Sequence, residues 1–236
     1  MFIPLRDDNA LRSIPFQYVT VSLIVVNALV FLLEVGGLDH AAIAAFGVTP
    51  RELFGSEIVT EPGGGTTGLQ ALPFAEGATL VTYMFFHADV FHLVGNMLFL
   101  WVFGDNVEDA MGHARFLVFY LLCGIFAGLF HSWMQPDSAL PLIGASGAVA
   151  GVIAAYLMLH PHVGVWVLAF KFIPLRITAG LALGIWIALQ IVMVIVPDVG
   201  PTAWWAHIGG LIAGAALILV MRRPGVPLFD RGVKLA

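Results

Sequence analysis

Six apolar blocks, each close to the length that crosses a bilayer, constrain this chain more than any other feature. They span residues 15–33, 90–103 with flanks, 116–134, 142–159, 177–196 and 203–221. The hydrocarbon core offers no water to the backbone, so each block is predicted to be a helix. Only 11% of the 236 residues are charged, whereas soluble proteins have about a quarter. We therefore predict an all-α membrane protein with six transmembrane helices and a long external first loop.

The stretches between the blocks set the predicted boundaries. Residues 80–86 are apolar but are followed by His87 and Asp89, which predicts a loop entering the membrane surface. Residues 163–173 are apolar but short and contain Lys171, which predicts an interfacial loop. The chain then divides into an N-terminal segment (1–14), a six-helix transmembrane domain (15–221) and a C-terminal tail (222–236), without a removable signal peptide. The single cysteine, Cys123, allows no intramolecular disulfide.

The positive charges predict the orientation of the helices. With six spans, nine of the ten Lys and Arg residues fall on the side that holds both termini, and only Arg51 falls on the other. This asymmetry indicates that both termini are cytoplasmic. The first loop (34–79) is then external and acidic, with a glycine run at 63–65 that predicts flexibility. The net charge of −5 gives no basic surface for nucleic acid.

Three reactive side chains lie at a similar predicted depth. His92, Ser146 and His207 each come about one turn into the second, fourth and sixth helices, which all enter from the same side. Asn96 follows His92 by four residues and therefore shares its helix face. Ionisable groups inside a membrane are costly and usually mark function. The set therefore indicates a site facing the protein interior near the outer surface.

Small residues predict which helices meet there. Gly147 and Gly151 form one small-xxx-small pair, and Gly210 and Gly214 form another. Such pairs let helix backbones approach closely. If the two faces pack together, Ser146 and His207 meet at the outer end of the contact.

Each of these residues also has a purely structural interpretation. A membrane serine often bonds its own helix backbone, and Asn96 alone would serve as a link between helices. Trp204 and Trp205 are most simply an interfacial aromatic belt. Their agreement in depth and helix direction favours function.

The residue types predict a serine nucleophile with a histidine base. Ser146 would attack a carbonyl after His207 takes its proton. The backbone N–H of Ser146, the amide of Asn96 and the imidazole of His92 would stabilise the oxyanion. No buried carboxylate is predicted beside them, so the pair would act as a dyad; the acidic residues considered, Glu34, Asp89, Asp137 and Asp198, lie at helix edges or in loops.

Three motifs carry a resemblance to a known family: HLVGN at 92–96, GASG at 144–147 and AHIGG at 206–210. Two further stretches, FGVTP at 46–50 and FGDNVE at 103–108, support it. In order and spacing they resemble the rhomboid intramembrane serine proteases, of the bacterial six-helix type. The resemblance implies cleavage of other transmembrane proteins within the lipid bilayer, with no metal or cofactor and no nucleic-acid partner. It also implies the inner membrane of a bacterial cell, with the site open to the external face.

The resemblance further implies supporting roles for Gly144, Gly147, Gly210 and His87. The fifth helix, with Trp186, resembles the lateral gate through which a substrate would enter.

The chain departs from the family pattern in two places. Ala150 stands where many bacterial members have a tyrosine that stacks on the catalytic imidazole, so how His207 is held stays open. No tryptophan lies in the first loop, where many members carry a Trp-Arg pair. No role is predicted for Gln190.

Three other functions are weighed. An inactive rhomboid-like protein would bind membrane clients, but such proteins usually lose the serine or the histidine. A transporter predicts internal repeats, which the chain lacks. A metalloprotease built on His87, His92 and His207 lacks a His-Glu-x-x-His motif.

Overall fold

The chain folds into a mostly helical bundle with one small sheet. A computed structural model describes residues 2–37, 45–54, 76–169, 172–196 and 203–230. Most of the predicted first loop, including the glycine run, lies outside these residues. The elements in chain order are β1 (Ile3–Asp7), α1 (Tyr18–Val35), α2 (Pro50–Phe54), α3 (Glu76–Thr82), a 3-10 turn (Tyr83–Phe85), α4 (Val90–Met111), α5 (His113–Met134), α6 (Ser146–Leu159), β2 (Gly164–Ala169), β3 (Ile173–Thr178), α7 (Ala179–Ile195) and α8 (Trp204–Met221).

In the part of the chain that the structure describes, four helices are long and apolar enough to cross a membrane: α1, α4, α5 and α8. The helices α6 and α7 are apolar but shorter, with 14 and 17 residues. This is a membrane protein of the predicted helical class. The wholly helical architecture is wrong, because three strands form a sheet.

Two of the predicted loops have regular structure. Residues 80–86 do not form a surface loop: α3 and the 3-10 turn occupy all but the last of them, and Tyr83 and Met84 are fully buried. The Tyr83 hydroxyl donates to the carbonyl of Gly124 at 2.7 Å. Because these side chains face the helix bundle and not lipid, an apolar stretch too short to span the membrane still forms part of the core.

Where the sequence predicted an interfacial loop at 163–173, the described residues form paired strands, β2 and the start of β3; Lys171 lies outside them. β2 pairs antiparallel with β3 on one side and with β1 on the other. Val165 and Val167 are buried while their neighbours are not, the period-two pattern of a half-buried strand. β2 follows the last residues of α6, so the sheet lies at the end of the bundle opposite Ser146.

Two buried carboxylates hold this opposite end together. Glu108 accepts hydrogen bonds from the backbone N–H groups of Val19 and Thr20, at 3.0 and 2.8 Å, and so caps the start of α1. Asp109 accepts three more from the backbone of residues 12–14. These partners explain why α4 continues to Met111, beyond the apolar block that ended at 103. No local pattern in the sequence indicates that these carboxylates are buried.

The centre of the bundle is a contact between α6 and α8 almost without side chains, which we call the glycine seam. Residues 147–156 of α6 are all buried. A Cβ at Gly210 would overlap the carbonyl oxygen of Gly147, and one at Gly214 would overlap that of Gly151. Only glycine lets the two backbones come this close. The seam thus joins the two helices that begin near Ser146 and His207.

Candidate functional site

Ser146 and His207 meet at the end of the glycine seam. The Ser146 Oγ lies 2.9 Å from the His207 Nε2, within hydrogen-bond distance. His207 is the fourth residue of α8 and is only 7% exposed. Ser146 is the first residue of α6, so the prediction that it lies one turn inside its helix is wrong. The serine is therefore presented at a helix N-terminus, close to its loop.

Gly144 ends that loop in a conformation that requires glycine. Its φ is +118°, in a region that L side chains rarely adopt. A Cβ at this position would also lie 2.6 Å from the His92 ring. The Gly144 N–H donates to the carbonyl of Tyr83 at 2.9 Å, so the turn before α6 is tied to the buried 3-10 turn.

His87 holds the residue just before Ser146. The backbone N–H of Ala145 donates to the His87 Nε2 over a long 3.4 Å bond. The backbone N–H of His87 in turn donates to the Glu34 carboxylate at 3.3 Å. Burial and the neighbouring His92 lower the pKa of His87 to about 4. A neutral ring is what this contact needs, because a protonated Nε2 could not accept the Ala145 N–H.

His92 and Asn96 lie on α4, and His92 borders this loop. The His92 ring packs edge-on against His87, with ring centroids 5.1 Å apart, and borders Gly144. Asn96 is 8% exposed, and its side-chain nitrogen is buried without a hydrogen-bond partner among the residues that the structure describes. A buried donor left unpaired costs stability, so it calls for an explanation.

Gln190 of α7 contacts His207 and was missed by the sequence analysis. Its Oε1 lies 2.7 Å from the His207 Nδ1, so both ring nitrogens of the histidine have partners. Neither partner is a carboxylate. A polar side chain in the middle of an apolar block was the available signal, by the same reasoning that selected Ser146 and His207.

Ala150, where many bacterial members of the resembling family have a tyrosine, faces the glycine seam. It is fully buried, and a Cβ on Gly210 of α8 would lie 3.2 Å from its methyl group. A methyl group cannot stack on an imidazole as a ring does, so His207 is held by other contacts.

Aromatic contacts reach His207 from two other sides. Trp186 of α7 lies 6.0 Å away, and Trp204 packs edge-on at 5.8 Å, between ring centroids. Trp204, interpreted from sequence as part of an interfacial belt, therefore also borders the site.

Comparison with known proteins gives a consistent family match. The Rhomboid domain matches residues 75–224. The chain is 30% identical to Rhomboid protein 1, mitochondrial, of Saccharomyces cerevisiae over 58% of this chain and 39% of that protein. It is 34% identical to RHOMBOID-like protein 6, mitochondrial, of Arabidopsis thaliana over 61% and 44%. It is 28% identical to Presenilin-associated rhomboid-like protein, mitochondrial, of Mus musculus over 84% and 47%. The matches span less than half the length of these relatives.

These relatives correct one expectation. We predicted the inner membrane of a bacterial cell, with cytoplasmic termini and an external site, whereas the three relatives are named as mitochondrial proteins. The asymmetry of positive charge orients helices relative to the side of insertion, but it does not identify the membrane. The multi-pass membrane character is supported.

Proposed function

This chain belongs to the rhomboid family, and we propose that it is an intramembrane serine endopeptidase that cleaves transmembrane segments of other proteins. The observation that carries the proposal is the 2.9 Å separation of the Ser146 Oγ and the His207 Nε2. We assign the activity to the domain 15–221, with α6 and α7 completing six membrane spans.

The proposed reaction begins with proton transfer. His207 accepts the Ser146 hydroxyl proton at Nε2 while the Oγ attacks the substrate carbonyl carbon. The tetrahedral intermediate collapses when the imidazolium returns that proton to the leaving amine, which breaks the peptide bond. Water, activated by the same imidazole, then hydrolyses the acyl-serine and restores both residues.

Stabilisation of the oxyanion is proposed for Asn96, His92 and the backbone N–H of Ser146. The Asn96 amide nitrogen supports this role, because a donor that has no partner among the described residues is free for a developing charge. His92 and the backbone N–H of Ser146 are the other proposed donors. Removing one donor of this kind costs roughly 100- to 1000-fold in kcat.

His87, Gly144, Gly147 and Gly210 have supporting roles in the proposal. His87 holds Ala145, and Gly144 allows the turn before the nucleophile. Gly147 and Gly210 bring the two helices together. None of these four supplies a reacting atom.

Labelling with a fluorophosphonate probe tests the proposal. The purified protein in detergent should be labelled covalently, and Ser146→Ala and His207→Ala should lose the label while keeping the wild-type unfolding temperature. The same two variants should fail to cleave a transmembrane substrate reconstituted with them in liposomes.

Equal labelling of wild type and Ser146→Ala, or no labelling of either, would refute the proposal. That result would favour the inactive, client-binding alternative. Lost labelling together with a lowered unfolding temperature in Ser146→Ala would also count against a purely chemical role for the hydroxyl.

A further inference from the structure

Both polar atoms of the Gln190 side-chain amide have hydrogen-bond partners. Its Nε2 donates to the carbonyl of Trp186 at 3.1 Å, one turn earlier on α7. Its Oε1 faces the His207 Nδ1 at 2.7 Å. Because an amide has one donor end and one acceptor end, the bond to the Trp186 carbonyl decides which end faces the histidine. His207 therefore meets an acceptor.

An acceptor at Nδ1 determines where the histidine carries its proton. The neutral imidazole has one N–H, and the bond to Gln190 places it on Nδ1. The Nε2 then carries a lone pair toward the Ser146 hydroxyl, as a general base requires. The opposite tautomer would leave Nδ1 and Oε1 as two acceptors facing each other.

The position of Gln190 on α7 is unusual for a polar residue. Only Ala179, Ala182, Leu183 and Gln190 of this helix are buried. Gln190 is 5% exposed. A buried amide in a lipid-facing helix is costly unless it is bonded, so its place beside His207 is a specific feature.

We propose that Gln190 is the positioning residue of His207: it sets the tautomer and ring orientation of the base from α7, in the role that a carboxylate fills in a catalytic triad. The proposal rests on the proposed function only for its consequence in catalysis. The proposed reacting residues and oxyanion donors lie on α4, α6 and α8. His207 therefore keeps this tautomer and orientation only while α7 packs against those helices.

Two substitutions separate hydrogen bonding from packing. Gln190→Leu keeps the approximate size of the side chain but removes the acceptor. Gln190→Glu keeps an acceptor oxygen on a side chain of the same length and adds a negative charge. Leu189→Ala, next along the helix and 40% exposed, is the local control.

The first measurement is the rate of fluorophosphonate labelling against pH. Loss of a residue that orients a metal-binding histidine typically costs about 10- to 100-fold in affinity or activity, and we expect a similar cost at His207. Gln190→Leu should therefore label at least about tenfold more slowly than wild type, and in substrate cleavage kcat should fall with little change in KM. Gln190→Glu should label at a rate close to wild type, with the acid limb of its profile moved to higher pH because a carboxylate favours the imidazolium.

Other titrating groups near His207 are His92 of α4 and His131 of α5. Both remain in every variant, so the difference between the Gln190→Glu and wild-type profiles isolates position 190. Leu189→Ala should reproduce the wild-type rate and profile.

The second measurement does not depend on activity. In ¹⁵N-histidine NMR of the detergent-solubilised protein, with His207 assigned by the His207→Ala variant, the wild-type ring should be neutral with its proton on Nδ1. In Gln190→Leu that preference should weaken or reverse.

The outcomes distinguish this inference from the proposed function. A protein without labelling but with His207 protonated at Nδ1 in a Gln190-dependent manner loses the protease assignment and keeps the positioning role. Normal labelling with an unchanged rate, pH profile and tautomer in Gln190→Leu overturns the positioning role alone. If Gln190→Leu does not fold, Gln190→Glu decides: an unmoved acid limb overturns the proposal.

Discussion

The Ser146–His207 pair is held in two different ways on its two sides. On one side the glycine seam brings the backbones of α6 and α8 into direct contact, without an intervening side chain at Gly147–Gly210 or Gly151–Gly214. On the other side we find what we call the polar surround: His87, which holds the turn before Ser146, and Gln190, which meets His207.

The two sides control different properties of the site. Backbone contacts leave no rotamers to change, so the seam sets the distance between the helix that presents the serine and the helix that presents the histidine. The side-chain hydrogen bonds of His87 and Gln190 depend on histidine protonation, on side-chain rotamers and on how α7 packs against the other helices. The polar surround therefore sets how the reacting atoms are oriented, and it can be altered while the seam persists.

The largest effect is expected from a side chain placed in the seam. Gly214→Val should lower the free energy of unfolding by about 3 kcal/mol or more. The valine Cβ would overlap the Gly151 carbonyl oxygen, and a backbone atom cannot move aside as a side chain can. The unfolding temperature of the purified protein in detergent measures this. The matched control is Gly184→Val on α7, where a Cβ has nothing within 4 Å. Equal losses at the two positions would contradict the comparison.

A smaller, pH-dependent effect is expected from His87. The folded protein lowers its pKa to about 4 from the ordinary histidine value of 6.5. The contribution of neutral His87 to the free energy of unfolding is therefore fully present above pH 6.5. It is lost as pH falls toward 4, because His87 binds its proton in the unfolded chain before it does so in the folded protein. The free energy of unfolding should change with pH, through His87, by at most about 1.4 kcal/mol per pH unit.

The test compares the unfolding temperature of wild type and His87→Phe between pH 6.5 and 4. The wild-type curve should fall more steeply, since other titrating groups are common to both proteins. Parallel curves would mean that His87 does not couple protonation to the turn before Ser146.

The smallest effect is expected from loosening α7. Leu183 is fully buried. Leu183→Ala should lower the free energy of unfolding by about 2 kcal/mol, at the low end of the range for truncating a buried leucine. Because α7 has few buried residues, we expect the loss to be local: amide hydrogen exchange should accelerate in α7 about tenfold or more while α6 and α8 keep their protection. Leu189→Ala is the control. Acceleration spread evenly over all three helices would show that α7 and the seam form one cooperative unit.

Much of the fold could be predicted from the chain because lipid imposes simple rules. Apolar blocks of bilayer length must be helical, and α1, α4, α5 and α8 follow from that rule. The rule does not apply to short apolar stretches, which can be buried in protein instead. This is why the helix and turn at 76–85 and the paired strands after α6 were not foreseen.

The buried carboxylates show a second limit. Glu108 and Asp109 are buried because backbone N–H groups about ninety residues earlier in the chain supply their hydrogen bonds. No local pattern around them reveals those partners.

The membrane class follows from the apolar blocks, the family resemblance follows from the motifs, and the candidates Ser146, His207, His92 and Asn96 stand out because polar residues in apolar blocks are rare. The packing of the helices was needed to show that Ser146 begins its helix and that Gln190 meets His207. The physical reason is that orientation comes from contacts between different helices. Such contacts depend on how the helices pack, which the spacing of residues along the chain does not contain.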